Sequence, residues 1–314
     1  MSSVRYKQKT RPASQDYFRI CSESVESITL FLAKWKSSCY TMSTAFLRKI
    51  CDARGLPNAA FILLQGDFPM KKSIRFLDAN LLRGLACILM LCDHMWATII
   101  PGNEWMTWVG RLAFPIFAFQ IAEGYLHTSN FRNYAVRLLL FGLISEIPFD
   151  LVYGSTIFYP FHQNVMFTLL FGLLAIKALD NARQKRTVKA WIAGILLAAL
   201  CCLAASVIFT DYGALGVATG IMFYLCRDFR FAWAAQLALM ILFNLVLFTG
   251  EYIPLTIGSH VFEIQTQGFA VFGLIPIWLY NGKKGISNKA LQYGFYAFYP
   301  VHLLILYLLF TYAV

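Results

Sequence analysis

From Phe76 onward the chain alternates long apolar runs with short polar breaks. The runs fall at roughly 76–99, 106–126, 134–153, 164–180, 189–209, 212–227, 231–249, 265–281 and 291–313. Their lengths match the ~20 residues an α-helix needs to cross the hydrocarbon core of a bilayer. Backbone facing lipid has to satisfy its own hydrogen bonds, and these runs are too long and continuous for barrel strands. The pattern therefore predicts an all-α fold: a polytopic integral membrane helical bundle of about nine transmembrane helices. No internal repeat emerges, which counts against transporters built from paired halves.

Residues 1–70 break the pattern. They mix Ser, Lys and Arg with isolated aromatics, and their apolar run at 28–33 is too short to span a bilayer. Nothing there has the form of a cleavable signal peptide. From Met70 the sequence reads MKKSIRFLDAN, a start residue and basic residues ahead of the first long run. Two expectations follow: Met70 is the natural start, or 1–70 is a poorly ordered cytoplasmic leader. In both, the membrane domain is 71–314.

Charge adds an orientation. Lys71, Lys72 and Arg75 precede the first run, Arg132 and Arg137 follow the second, and Arg183, Lys185, Arg186 and Lys189 follow the fourth. Arg227 and Arg230 follow the sixth run, and Lys283, Lys284 and Lys289 follow the eighth, whereas 101–105, 154–163, 210–211 and 250–264 contain no Lys or Arg. Basic loops stay on the cytoplasmic side, so the amino terminus is expected inside and the carboxyl terminus outside. The formal charge of +11 is thereby explained without nucleic acid as a partner. With 59% of residues apolar and 14% charged, the composition lies outside that of soluble domains. The eight cysteines form no CxxC pair and mostly sit in apolar stretches, which indicates apolar filler and predicts neither a disulfide framework nor a metal site.

Ionisable groups inside spans are costly and need a partner or a purpose. At the outer level the topology gathers Asp93 and His94 on the first helix, Arg111 on the second, and Glu146 and Asp150 on the third, with Arg111 as the expected counter-ion of the last two. His162, Asn164, Asp211, Glu263, Tyr299 and His302 approach the same level. An inner set comprises Asp78, Asn80 and Arg83, with Glu123 and His127 on the second helix. Sixteen residues separate Asp78 from His94, about 24 Å of helix. A histidine at this depth has a pKa suited to taking a proton from an incoming amine or hydroxyl, and imidazole can itself carry an acyl group. His94 is the candidate for that role; the competing reading is a histidine that only hydrogen-bonds within the bundle. For Arg111 with Glu146 or Asp150 the competing reading is a stabilising ion network. For His127, His162 and His260 it is a solvated loop residue.

The runs LLRGLACILMLCDHMW (81–96), GRLAFPIFAFQIAEGYLHT (110–128), RLLLFGLISEIPFD (137–150), QNVMFTLLFGLLAI (163–176), DYGALGV (211–217) and YAFYPVHLLILY (296–307) resemble the TraX family. The founding member of that family acetylates the amino terminus of conjugative pilin. The first run is also similar to the LRG…H helix of the wider transmembrane acyltransferases, which move acyl groups from cytoplasmic coenzyme A to acceptors at or beyond the membrane. That resemblance implies a bacterial inner-membrane acyltransferase with acetyl-coenzyme A as donor and a peptide, lipid or glycan as acceptor. It matches His94 to the essential histidine and Arg83 with Gly84 to the LRG element, with Asn80 beside them at the coenzyme A end. Asp93, Arg111, Glu146 and Asp150 are then catalytic candidates, and Glu123, Asn164, Asp211, Tyr299 and His302 supporting or acceptor-binding ones. The rival readings are a proton-coupled transporter or channel using the same buried groups, and a scaffold for an envelope machine.

Overall fold

The protein was analysed as a computed structural model, which describes residues 74–257 and 260–312, with the side chains of 254–262 outside that description. The expected leader over 1–70, the cysteines Cys21, Cys39 and Cys51, and the side chain of His260 lie outside the described residues. The expected helical class is what the structure has. Its helices are α1 (Ala79–Thr98), α2 (Trp105–Gly110), α3 (Ala113–His127), α4 (Phe131–Tyr153), α5 (Val165–Lys185), α6 (Val188–Val207) and α7 (Gly213–Cys226). They are followed by α8 (Ala232–Ile241), α9 (Leu274–Trp278) and α10 (Lys289–Tyr312).

Short polar side chains start several of these helices by accepting orphan backbone N–H groups. Asp78 accepts from the N–H groups of Asn80 and Leu81 at 2.9 Å each to begin α1. Asn130, Asn164 and Thr187 do the same for α4, α5 and α6. Four helices, α1, α5, α6 and α10, are long and apolar enough to cross a membrane, and they make this a membrane protein. Helix α4 is equally long but carries Arg132, Arg137, Glu146 and Asp150. The remaining expected spans are shorter or broken. The run 106–126 divides into α2 and α3, which meet at Arg111 and Leu112 without leaving right-handed helical dihedrals. The run 231–249 is α8 continued by a π-helical segment, Leu242–Leu247, and the run 265–281 is a 3-10 segment, Thr266–Gly273, leading into α9.

The expected loop 250–264 instead holds an antiparallel hairpin, β1 (Tyr252–Ile257) with β2 (His260–Gln265), in register from Tyr252↔Gln265 to Ile257↔His260. Its aromatic and β-branched residues favour extended backbone.

A single large core unites α1, α3, α4, α5 and α10 through Leu82, Ile116, Leu138, Leu173 and Leu303, each fully or almost fully buried. A second cluster joins α5, α6 and α7 through small residues, among them Ala175, Ala198 and Ala205. Gly194 lets α6 come close to α5: a Cβ there would lie 2.8 Å from the Ala182 Cβ and 3.0 Å from the Ala178 carbonyl oxygen. The opposite side of α6 exposes Ile192, Ile195, Leu196 and Leu200, and α4 exposes Leu140, Leu143 and Ile147. Apolar faces of this size require lipid rather than water.

Two short parallel bridges fasten the ends of the bundle. At one end Leu77 pairs with Tyr280, tying the start of α1 to the segment after α9. At the other end Gln163 pairs with Thr210: Gln163 N–H donates to Phe209 (2.9 Å) and Asp211 N–H donates to Gln163 (2.8 Å). This second bridge sets Asp211 beside His162 and Asn164.

Candidate active site

At the Gln163–Thr210 end, α1, the α2–α3 junction, the end of α4 and the starts of α5 and α7 surround a cavity of about 170 Å³, with Tyr299 of α10 on its wall. His94, Asp93, Arg111, His162, Asp211, Tyr153 and Tyr212 also line it. A water needs roughly 10–15 Å³ of such space, so the cavity has room for a short acyl group and the atom that attacks it.

His94 is 8% exposed, and its Nδ1 lies 2.6 Å from Nε2 of His302. The two rings are nearly parallel (8°) with centroids 4.9 Å apart, and the short N···N contact means that they meet edge to edge. The other ring nitrogen of His302, Nδ1, lies 2.7 Å from the carbonyl oxygen of Phe298 one turn earlier. A carbonyl oxygen can only accept, so Nδ1 of His302 carries the proton and its Nε2 presents a lone pair. Nδ1 of His94 must then donate to that lone pair, which leaves Nε2 of His94 as the basic nitrogen. With both rings neutral, the chain of donors fixes a single tautomer. Phe298 stacks on His302 at 4.8 Å, and the Thr98 hydroxyl donates to the His94 carbonyl at 2.6 Å.

Asp93 does not touch the His94 ring by any hydrogen bond among the described residues. Its carboxylate accepts from the Thr107 hydroxyl at 2.6 Å, and the same hydroxyl accepts from Arg111 at 3.1 Å. Thr107 thus uses its donor and an acceptor site to join the two charges, which stand 3.9 Å apart. Arg111 lines the cavity with Tyr212, whose ring stacks on Phe114 with centroids 3.8 Å apart. Its Nε is buried with no partner among the described residues. Gly110 permits this packing, since a Cβ there would come within 2.4 Å of the Asp93 Cβ.

The expected pairing of Arg111 with Glu146 and Asp150 does not form. Glu146 accepts from the Asn164 backbone N–H at 2.9 Å and also from the Asn164 side-chain amide. That amide further donates to the Gly142 carbonyl at 2.9 Å, while its oxygen caps α5 through Met166 N–H. Asp150, 2% exposed, accepts from Tyr159 N–H at 2.9 Å, and its other oxygen has no partner among the described residues. Both carboxylates serve the start of α5 and the 154–163 loop, where unpaired backbone donors are available, and Asp93 is the nearer anion for Arg111. His162 stands over the cavity against Phe149, 4.9 Å between centroids, with Asp211 at 3.9 Å. That carboxylate favours the imidazolium and raises the His162 pKa against partial burial.

The inner set lies at the other end of α1. Arg83 Nε donates to Gln120 at 2.8 Å and its guanidinium sits 5.2 Å from the Phe295 ring centroid, while Gln120 donates to the Ala79 carbonyl at 3.1 Å. Asn80 donates to the Ile286 carbonyl at 2.8 Å. A Cβ on Gly84 would meet nothing within 4 Å, which leaves open space beside Arg83. Glu123 faces His127 at 3.5 Å. Of the residues singled out in the sequence, then, the cavity collects His94, Asp93, Arg111, His162, Asp211 and Tyr299, with His302 directly behind His94. Glu146, Asp150 and Asn164 lie behind the lining, next to the wall residues Phe149 and Val165, and Arg83, Gly84, Asn80 and Glu123 lie apart. Thr107, Tyr153 and Gln120 were not legible as site residues. The i, i+4 spacing of Thr107 and Arg111 was the signal for the first.

Comparison with known proteins places the chain in context. Residues 78–310 match the family model described as TraX protein. The chain is 30% identical over 252 residues to the probable fimbrial assembly protein FimC, serogroup H1, of Dichelobacter nodosus, covering 76% of this chain and 97% of that one. No solved structure matches.

Proposed function

Because the chain belongs to the TraX family, we propose that it is a membrane-embedded acyltransferase in which His94 is the general base. Acetyl-coenzyme A is the donor, and the acceptor is an amine or hydroxyl presented at the His94 end of the bundle. The observation that carries this reading is the donor chain from His94 through His302 to the Phe298 carbonyl, which leaves a basic Nε2 on His94 in a cavity that also holds a cation. A purely structural histidine pair has no need of a cavity beside it.

In the reaction, Nε2 of His94 removes the proton from the acceptor as its nitrogen or oxygen bonds to the thioester carbonyl carbon. Charge develops on the carbonyl oxygen, and Arg111, the cation lining the cavity, stabilises it in this reading. When the carbon–sulfur bond breaks, the proton on His94 passes to the departing thiolate. His302 keeps the ring oriented throughout and Asp93 with Thr107 holds Arg111. The basic loops support a cytoplasmic Arg83 end in this reading, in a bacterial inner membrane crossed about nine times with the amino terminus inside. Arg83, Asn80 and the space beside Gly84 then meet the donor first. The name of the fimbrial relative supports a pilin-type peptide amine as acceptor.

The alternative, a proton-coupled transporter, draws on the same adjacent histidines. Proteoliposomes separate the two: with radiolabelled acetyl-coenzyme A on one side and an amine-bearing fimbrial peptide on the other, label should appear on the peptide with wild type and not with His94→Ala. Proton flux without label transfer would favour transport.

A further inference from the structure

Away from the His94 cavity, where α3, α5 and α7 end, lies a second cleft of about 320 Å³, bordered by Arg183, Arg186, Arg227, Tyr224 and Asp180. Basic residues at helix carboxyl ends are ordinary: they complement the helix dipole and set topology. Neither effect requires the side chains to border one open space, and here Arg183 and Arg227 are also held by Asp228.

The floor of the cleft is a closed network. One oxygen of Asp180 accepts from the Tyr224 hydroxyl at 2.6 Å; the other accepts from Tyr125 at 2.6 Å and from Gln184 at 2.7 Å. The carboxylate is therefore occupied by neutral donors and contacts none of the three guanidiniums among the described residues.

One wall is fixed by Asp228, which takes Arg183 NH1 at 2.5 Å and Arg227 Nε at 3.3 Å. Asp228 feels the cost of partial burial, yet the hydrogen bond from Arg183 and the charges of Arg227 and Arg183 outweigh it and lower its pKa. An arginine has five N–H donors, so each still has donors to offer. Arg186 faces them from the end of α5. It adopts the left-handed conformation (φ 53°, ψ 21°) usually left to glycine; its backbone N–H donates to the Ala182 carbonyl at 3.0 Å, and its guanidinium has no hydrogen bond or ion pair among the described residues. Three guanidiniums meet two carboxylates here, leaving one positive charge in excess and one wholly unpartnered fork.

We infer that the Arg183–Arg186–Arg227 cleft binds a phosphate-bearing anion. Several guanidinium forks converging on one space match the tetrahedral acceptor array of a phosphate ester better than a single carboxylate. Two sources share that chemistry, a soluble phosphoester and the headgroup of an anionic phospholipid. The inference does not depend on acyl transfer.

The test is binding without turnover, on the full chain in nanodiscs of zwitterionic lipid, with adenosine 3′,5′-bisphosphate as probe in calorimetry. The same preparations made with phosphatidylglycerol are examined by native mass spectrometry for retained lipid. Arg186→Gln is the principal variant, because its side chain supports no contact of the fold; Arg227→Gln is the second. Lys189→Gln, on the same end but outside the cleft, is the control. Binding of the bisphosphate that weakens about tenfold in each arginine variant and is unchanged in Lys189→Gln supports a soluble phosphoester. No bisphosphate binding, but phosphatidylglycerol retained by wild type and lost in both arginine variants, supports a lipid headgroup. Absence of both, or binding equal in wild type and variants, overturns the inference. His94→Ala should bind like wild type, so loss of the proposed chemistry and loss of this site are separate results.

Discussion

His302 is the sharpest point at which to perturb the site, because its structural task is narrow. Replacing it with Phe keeps an aromatic ring in α10 but removes the acceptor that holds the proton on Nδ1 of His94, 2.6 Å away. A buried donor left unsatisfied costs about 1–3 kcal/mol. His94 escapes that cost by moving its proton to Nε2, which turns the lone pair away from the cavity. A bias of about 1–3 kcal/mol lost from the productive tautomer corresponds to roughly 5–150-fold less competent base, since 1.4 kcal/mol is tenfold. His302→Phe should therefore lower kcat by that factor with little change in KM for acetyl-coenzyme A, while thermal unfolding in detergent moves only slightly. His302→Gln, whose amide oxygen can accept from His94, should recover part of the loss. The assay is steady-state thiol release with an amine acceptor. Full kcat in His302→Phe, or equal losses in the Phe and Gln variants, would refute the tautomer argument.

Three further perturbations probe the surrounding shell. Gly110→Ala puts a Cβ within 2.4 Å of the Asp93 Cβ, so it should displace Asp93 and Arg111 and reduce turnover more than it lowers the melting temperature. Glu146→Gln keeps an oxygen for the Asn164 donors and should stay near wild type in turnover, whereas Glu146→Leu strands those donors and should destabilise by about 1–3 kcal/mol in thermal denaturation. If Glu146→Gln abolishes turnover in a well-folded protein, the supporting role assigned to Glu146 fails. For His162 the folded pKa is raised above the ordinary 6.5 by Asp211. Its stabilising pairing is therefore complete below about pH 6.5 and lost as pH rises through the higher folded value. The melting temperature of wild type should exceed that of His162→Gln most at acidic pH, with the gap closing on alkalinisation; a gap that widens instead would contradict the pairing.

Much of this architecture is legible in the apolar runs, because a bilayer forces nearly every spanning segment to be a helix. The runs 76–99, 164–180, 189–209 and 291–313 correspond to α1, α5, α6 and α10. Hydrophobicity does not report hydrogen-bond register, so the α2–α3 junction at Arg111 and the π segment at Leu242–Leu247 were invisible within continuous runs. The hairpin at Tyr252–Gln265 has no signature in charge, since 250–264 reads only as a loop without Lys or Arg. Depth along the spans did bring His94, Arg111, Asp211 and His302 to one level. Partner choice was not recoverable from depth: Glu146 and Asp150 share that level with Arg111 but turn toward Asn164 and the Tyr159 backbone. The link from His94 to His302, 208 residues apart, depends on the packing of α10 against α1, which no local pattern encodes.

The most direct test of the central claim is continuous thiol release from acetyl-coenzyme A by the purified protein in nanodiscs, with a peptide amine as acceptor, comparing wild type with His94→Ala. The account predicts acceptor-dependent release by wild type and none above background from a well-folded His94→Ala. Release that persists in the variant, or no turnover by wild type with any amine or hydroxyl acceptor, would contradict it.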